Sequence, residues 1–96
     1  MTEPGPDRVL CLVISGRVQG VGFRYFTRRA AQRLDLVGWV KNLPSGEVEV
    51  RVAGAPVTLE VFRQRLRQGP PGSRVDALSE SALAVPRDWN DFQITF

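Results

Sequence analysis

The amino-acid sequence predicts a small α+β domain in which two helices cover one face of an antiparallel sheet. Two segments repeat apolar residues at spacings of three and four, which is typical of amphipathic helices. Around them lie short β-rich runs, and residues 47–52 and 92–96 alternate apolar and polar side chains. At 96 residues, the chain has the length of one domain with a modest core.

The first half of the chain predicts a strand, a helix and then a hairpin. Arg8 to Ser15 is apolar without alternation, as in a strand that is central in its sheet or covered on both faces. After a glycine-rich loop, a helix ending near Asp35 carries an apolar stripe formed by Phe23, Phe26, Ala30 and Leu34. Leu36 to Asn42 predicts the second strand, and a turn over residues 43–46 leads into a third strand with an apolar face made by Val48, Val50 and Val52.

The second half predicts a helix between two further strands. Pro56 suits the first turn of that helix, which buries Leu59, Phe62 and Leu66 and ends before Gly69-Pro70-Pro71-Gly72. Ser73 to Ser81 predicts a strand, residues 84–90 a loop, and the last residues a strand pointing Phe92, Ile94 and Phe96 inward. The order strand, helix, strand, strand, helix, strand is that of the ferredoxin-like fold, a split β-α-β arrangement. We expect residues 8–96 to form the domain and residues 1–7 to be a short disordered leader.

Composition excludes several classes of protein. There is no histidine, which removes a histidine general base and a histidine-ligated metal site. The single cysteine, Cys11, excludes a disulfide framework and favours the cytoplasm. No apolar run approaches the length of a membrane span, and the first eight residues resemble no targeting sequence. The net charge of +3 is compatible with a small anionic ligand as well as with a nucleic acid.

The stretch GRVQGVGFR, Gly16 to Arg24, predicts an anion site between the first strand and the first helix. Glycine-rich turns point backbone N–H groups at one spot, and the helix N-terminus adds partial positive charge. The stretch matches neither of two common nucleotide-binding motifs. Tyr25 stands where a dinucleotide-binding loop needs its third glycine, and the stretch lacks the Gly-Lys-Ser or Gly-Lys-Thr that ends a P-loop. Arg24 is disfavoured beside a helix N-terminus unless a bound anion lies between them.

Taken together, the segments GRVQGVGFR, VGWVKN, GEVEVRVAG, QGPPGSRV and FQITF resemble the acylphosphatase family from about Arg8 to Phe96. The resemblance implies a stand-alone, monomeric, cytoplasmic hydrolase of acyl phosphates that needs no metal and no cofactor. It also implies that inorganic phosphate is both product and inhibitor. By this resemblance Arg24 binds phosphate and Asn42 orients the attacking water, while backbone N–H groups that contact the phosphate belong to Gln19, Gly20, Val21, Gly22 and Phe23.

Three positions depart from the family pattern. Asp35 replaces a common glycine at the end of the first helix, where left-handed backbone geometry is expected. Leu43 replaces a small polar residue after Asn42, and Pro44-Ser45-Gly46 alters only the hairpin tip.

Two other functions stay open on the sequence. The same site could bind carbamoyl phosphate or another phosphate without turnover. The same fold also serves RNA-binding modules, although Glu47 and Glu49 on the polar face of the third strand would repel a phosphate backbone.

Overall fold

The computed structural model describes residues 7–84 and 89–96. Two helices pack on one face of a five-stranded sheet. The elements are β1 (Arg8–Arg17), α1 (Phe23–Arg33), β2 (Val37–Asn42), β3 (Val48–Gly54), α2 (Pro56–Gln68), β4 (Arg74–Leu83) and β5 (Phe92–Ile94). Most of the predicted leader, residues 1–6, lies outside the described residues, as do residues 85–88 of the predicted loop.

The strand order is β4-β1-β3-β2-β5, so β1 is an interior strand with a partner on each side, in agreement with its apolar run. The pairs β1–β3, β1–β4 and β2–β3 are antiparallel, whereas β5 pairs parallel with β2. The sheet is therefore mixed at one edge and not antiparallel throughout. The chain passes from β4 at one edge to β5 at the other, and β5 then runs in the direction of β2.

The core lies between the sheet and the helices, where the sequence pattern places it. The apolar faces of β3 and α2 are confirmed, because Val48, Val50, Val52, Leu59, Phe62 and Leu66 are all buried. Thr27 is the only buried polar residue of the described chain, and its hydroxyl donates to the Phe23 carbonyl oxygen at 2.9 Å. Neither helix among the described residues is long and apolar enough to cross a bilayer.

The prediction that Phe96 points into the core is wrong. Strand β5 ends at Ile94, and the Phe96 side chain is 94% exposed. Its ring lies against the guanidinium group of Arg24, with 5.0 Å between the guanidinium carbon and the ring centroid. The β2–β5 ladder ends with the pair Val40 and Ile94, two residues before Phe96, so the ring lies outside the paired part of the sheet.

Helix α1 ends in a complete Schellman motif around Asp35. The Leu36 N–H donates to the Ala31 carbonyl oxygen at 2.9 Å, and the Asp35 N–H donates to that of Gln32 at 3.2 Å. Asp35 has φ of 55° and is the only non-glycine residue in the described chain with positive φ. The left-handed geometry expected at this position is confirmed.

Candidate anion-binding site

The C-terminal ends of strands β1 and β2 lie at the same end of the sheet, because both strands run antiparallel to β3 between them. Val48 of β3 is opposite Ile14 on one side and Asn42 on the other. One strand therefore separates Asn42 from β1, and two strand spacings amount to about 10 Å. A bulge follows at Ser15 and Gly16, and such irregularities bend a strand; the chain then enters the loop that leads to α1.

The loop joins α1 without any side-chain cap. Gly22 is the N-cap residue, with φ of 77°, and the first turn holds no acidic residue. Among the described residues, no backbone carbonyl accepts a hydrogen bond from the N–H groups of residues 19–25. The first turn of a helix always leaves N–H groups of this kind unpaired, and they attract anions.

Two glycines of this loop are needed for backbone geometry and not for close packing. Gly20 and Gly22 have φ of 75° and 77°, a region that costs other residues about 1–2 kcal/mol. A Cβ atom added at either position would have no atom within 4 Å. The space above the loop is therefore open.

A cavity of about 150 Å³ lies over this loop. A water molecule occupies about 30 Å³ in the liquid, so the cavity has room for a phosphoryl group and a water. Its walls come from the loop, the first turn of α1 and the end of β2, namely Val18, Gly20, Gly22, Phe23, Arg24, Tyr25 and Asn42.

Five of the seven predicted site residues thus line one cavity. The other two, Gln19 and Val21, do not line it: Val21 packs against the core. The prediction for Gln19 and Val21 concerns their backbone N–H groups, and it stays a prediction.

The side chain of Gln19 has a role that the sequence did not reveal. Its amide nitrogen donates to the carbonyl oxygens of Leu43 and Glu47, at 2.8 and 2.9 Å. These two residues close the β2–β3 hairpin, where the Leu43 N–H also donates to the Glu47 carbonyl oxygen at 2.8 Å. Gln19 therefore ties the loop to the hairpin that begins directly after Asn42.

Asn42 brings an unsatisfied acceptor to the cavity. Its Oδ1 atom is buried, and no group of the described residues donates a hydrogen bond to it. A buried acceptor without a partner costs about 1–3 kcal/mol. A donor that enters the cavity, such as the O–H of a water molecule, would remove this cost.

Arg24 brings an unpaired cation to the same cavity. It is half-buried, and the described residues offer it no carboxylate within ion-pair distance. The Phe96 ring stacked on its guanidinium group restricts the orientation of that group. No feature of the sequence signals this contact, because it joins the first helix to the last residue of the chain.

A larger cleft, of about 520 Å³, lies on the other side of Phe96. Its lining includes Trp39 and Lys41 of β2, Trp89, and Gln93 of β5. None of its lining residues is among those predicted to bind phosphate or water. The smaller cavity is the better candidate for chemistry because an arginine, an amide and unpaired N–H groups converge there.

The open face of the sheet carries a charged cluster that does not suit RNA. The Glu49 carboxylate lies between Lys41, at 4.0 Å, and Arg51, at 3.3 Å. The same two cations stack on Trp39, so the aromatic face that a base would need is already covered.

Cys11 lies on this open face, and its thiol donates to the Glu49 carboxylate at 3.5 Å. Burial, and then the hydrogen bond and charge of Glu49, raise the pKa of the Cys11 thiol. This thiol lies outside the cavity.

Fold and site together define a class: a ferredoxin-like domain with an anion-binding cradle between its first strand and first helix. The acylphosphatase family model matches residues 10–94. The chain is 46% identical to an acylphosphatase of Vibrio vulnificus over 82 residues, which cover 85% of this chain and 90% of that protein. It therefore belongs to the acylphosphatase family.

Two solved structures extend the comparison. The acylphosphatase of Bacillus subtilis superposes with a TM-score of 0.89 at 35% identity, over 93% of this chain and 99% of that one. Full-length HypF in its phosphate- and nucleotide-bound form superposes with a TM-score of 0.87 at 32% identity, over 99% of this chain but 12% of HypF. The same fold thus occurs both as a protein of this length and as one part of a larger protein.

Proposed function

We propose that this chain hydrolyses the carboxyl–phosphate bond of acyl phosphates, releasing a carboxylate and inorganic phosphate. The observation that carries the proposal is the convergence, on one cavity, of the unpaired Arg24 cation and the unsatisfied Asn42 Oδ1. The cavity lies over the uncapped start of α1. These groups match the two needs of the reaction, which are to hold a phosphoryl group and to place a water beside it.

The phosphoryl group would sit between the loop and Arg24. Unpaired N–H groups at the start of α1 and the helix dipole favour an anion there. The planar guanidinium fork of Arg24 can donate to two phosphoryl oxygens at once. Catalysis of phosphoryl transfer consists mainly of positioning and of stabilising charge on these oxygens. We therefore infer that no metal ion is needed.

Asn42 would orient the attacking water. Its Oδ1 can accept a hydrogen bond from the water, but a side-chain amide does not act as a base near neutral pH. The water oxygen then bonds to phosphorus while the bond from phosphorus to the carboxylate oxygen breaks. The proton of the water goes to a phosphoryl oxygen, so charge and atoms balance without a protein base.

The leaving group accounts for the lack of a general acid. A carboxylic acid has a pKa of about 4, so its carboxylate departs without protonation. A chain with no histidine can therefore perform this hydrolysis. Phosphate, as the product, would occupy the same cradle and inhibit. Arg24, Asn42 and the loop supply every role that this mechanism needs, so we propose that a monomer suffices. The free Cys11 favours the cytoplasm as its compartment.

The test is hydrolysis of benzoyl phosphate in water enriched in ¹⁸O, with EDTA present. We expect turnover, with the label appearing in inorganic phosphate, because water attacks phosphorus. Arg24→Ala should lower kcat/KM by about a thousandfold or more, as expected for a charge-stabilising arginine.

Three results would contradict the proposal. Label in benzoate would mean attack at the carbonyl carbon, and full activity of Arg24→Ala would remove the arginine from the mechanism. Phosphate binding without any turnover would leave a non-catalytic module that binds carbamoyl phosphate or a similar anion. Loss of activity on EDTA treatment would contradict metal independence alone.

A further inference from the structure

Helix α1 carries more positive charge than the proposed binding of a phosphoryl group by Arg24 requires. Its eleven residues contain four arginines, Arg24, Arg28, Arg29 and Arg33, and no acidic residue. None of the four forms an ion pair within the described part of the chain. Elsewhere in the described chain the pattern is mixed: Arg51, Arg63 and Arg74 each lie beside a carboxylate, whereas Arg17, Arg65 and Arg67 form no ion pair. What distinguishes α1 is that it combines four arginines with no acidic residue and begins at the cavity.

Arg28 differs from the two other arginines beyond the cradle. Arg29 and Arg33 are exposed, whereas Arg28 is half-buried. Its guanidinium carbon lies 5.2 Å from the centroid of the Tyr25 ring. A guanidinium stacked on an aromatic ring is held in one orientation and keeps its N–H groups free at the edge.

Tyr25 connects Arg28 to the candidate active site. It lines the cavity, and with 64% of its surface exposed it is the lining residue whose large side chain lies mostly in solvent. Arg28 does not itself line the cavity, but it stacks on a residue that does. Arg24 and Arg28 are four residues apart on one helix, which places their Cβ atoms about 6 Å apart on the same face.

The reaction geometry indicates what could reach Arg28. Attacking and leaving oxygens lie in line on opposite sides of phosphorus. With water held at Asn42, at the end of β2, the acyl group leaves on the side away from β2. Tyr25, in the first turn of α1, lines the cavity, and Arg28, one turn further along the helix, stacks on it from outside the lining.

We propose that Tyr25 and Arg28 form a specificity site for a second anionic group on the acyl part of the substrate. Preferred substrates would then be acyl phosphates whose short acyl chain ends in a carboxylate or a phosphate. This inference rests on the proposed function. Arg28 touches a part of the substrate that does not react, so it determines specificity and takes no part in the chemical step.

The test compares two substrates of equal chain length, succinyl phosphate and butanoyl phosphate, which differ in the terminal carboxylate. Arg28→Gln should lower kcat/KM for succinyl phosphate by about fivefold, as expected for one solvent-accessible ion pair. The loss should appear mainly in KM, and butanoyl phosphate should change by less than about twofold.

Matched variants separate this site from the general field of the helix. Arg29→Gln removes the same charge from an exposed position and should leave the ratio of the two kcat/KM values unchanged. Tyr25→Phe keeps the ring under Arg28 and should retain the preference, whereas Tyr25→Ala should weaken it. Thermal melting of each variant checks that the fold is intact.

Two results would overturn the inference while leaving the proposed function standing. One is an equal loss for both substrates in Arg28→Gln, and the other is an equal shift of the ratio in Arg29→Gln. Failure of the unmodified protein to hydrolyse either substrate would contradict the proposed function itself, and the inference with it.

Discussion

Arg24 occupies a position that helix electrostatics opposes. A cation in the first turn lies beside the positive end of the helix dipole, an arrangement that costs about 0.3–1 kcal/mol. Here the first turn also lacks an acid or a side-chain cap that would offset this cost. A bound anion reverses the sign of the interaction, because it attracts both the helix end and the guanidinium. The unfavourable placement of one residue is therefore the clearest sequence signal of the site.

Two side-chain contacts at the site could not be predicted from the sequence. The Gln19 side chain bonds to the carbonyl oxygens of Leu43 and Glu47, and Phe96 stacks on Arg24. Both contacts join segments that are distant along the chain, and neither follows from periodicity or composition. Gln19 and Phe96 belong to the segments GRVQGVGFR and FQITF, but those segments do not show what the two side chains contact.

At the same scale, Cys11 gives a prediction about reactivity. Burial, and then the hydrogen bond and charge of Glu49, raise the pKa of the thiol. The folded protein therefore holds less thiolate than a free cysteine at the same pH, and only the thiolate reacts. Glu49→Gln removes a hydrogen-bond acceptor and a negative charge. We expect the pKa of Cys11 to fall and its reaction with a disulfide reagent at pH 8 to become faster, by about threefold or more.

The control is the same reaction in concentrated urea, where both proteins are unfolded. There the two rates should agree, because the neighbours of Cys11 are no longer in place. An unchanged or slower rate in folded Glu49→Gln would contradict the assignment of the pKa shift to Glu49.

At the scale of elements, the two ends of α1 are built for different purposes. The N-terminus leaves its N–H groups unpaired at the cavity, while the C-terminus satisfies its carbonyls through the Schellman motif at Asp35. The sequence predicted both ends because glycine before a helix and a left-handed position after it have local causes. It did not predict the parallel pairing of β5, since a three-residue strand carries no sign of its partner's direction.

Asp35 gives a prediction about stability. The residue is exposed and forms no ion pair within the described chain, yet its φ of 55° is unfavourable for a residue with a Cβ. Asp35→Gly should raise the free energy of unfolding by about 1 kcal/mol. Urea unfolding followed by far-UV circular dichroism measures this change.

The matched variant is Asp35→Ala, which keeps the Cβ but loses the polar group that helps aspartate adopt left-handed geometry. Its free energy of unfolding should be lower than that of the unmodified protein. A destabilised Asp35→Gly, with an unchanged dependence on urea concentration, would show that the left-handed geometry is not what limits stability at this position.

At the scale of the whole molecule, the strand order creates the site. Because β1 and β2 both pair antiparallel with β3, their C-terminal ends lie at the same end of the sheet. The register places Ile14, Val48 and Asn42 side by side there. The sequence predicted the ferredoxin-like fold and the two motifs that meet at this end of the strands. The sequence could not predict the cavity between the two motifs, because its shape depends on how side chains from the loop, α1 and β2 pack against one another.

The most direct test of the account separates phosphate binding from catalysis in two variants. Calorimetry would measure the affinity for inorganic phosphate, and hydrolysis of benzoyl phosphate would measure turnover. Arg24→Gln should lose both. Asn42→Ala should keep its phosphate affinity within about threefold, a change below 1 kcal/mol, while kcat falls by about a hundredfold or more. Unchanged turnover in Asn42→Ala, or unchanged phosphate affinity in Arg24→Gln, would contradict the central claim that these two residues hold water and phosphoryl group in one cavity.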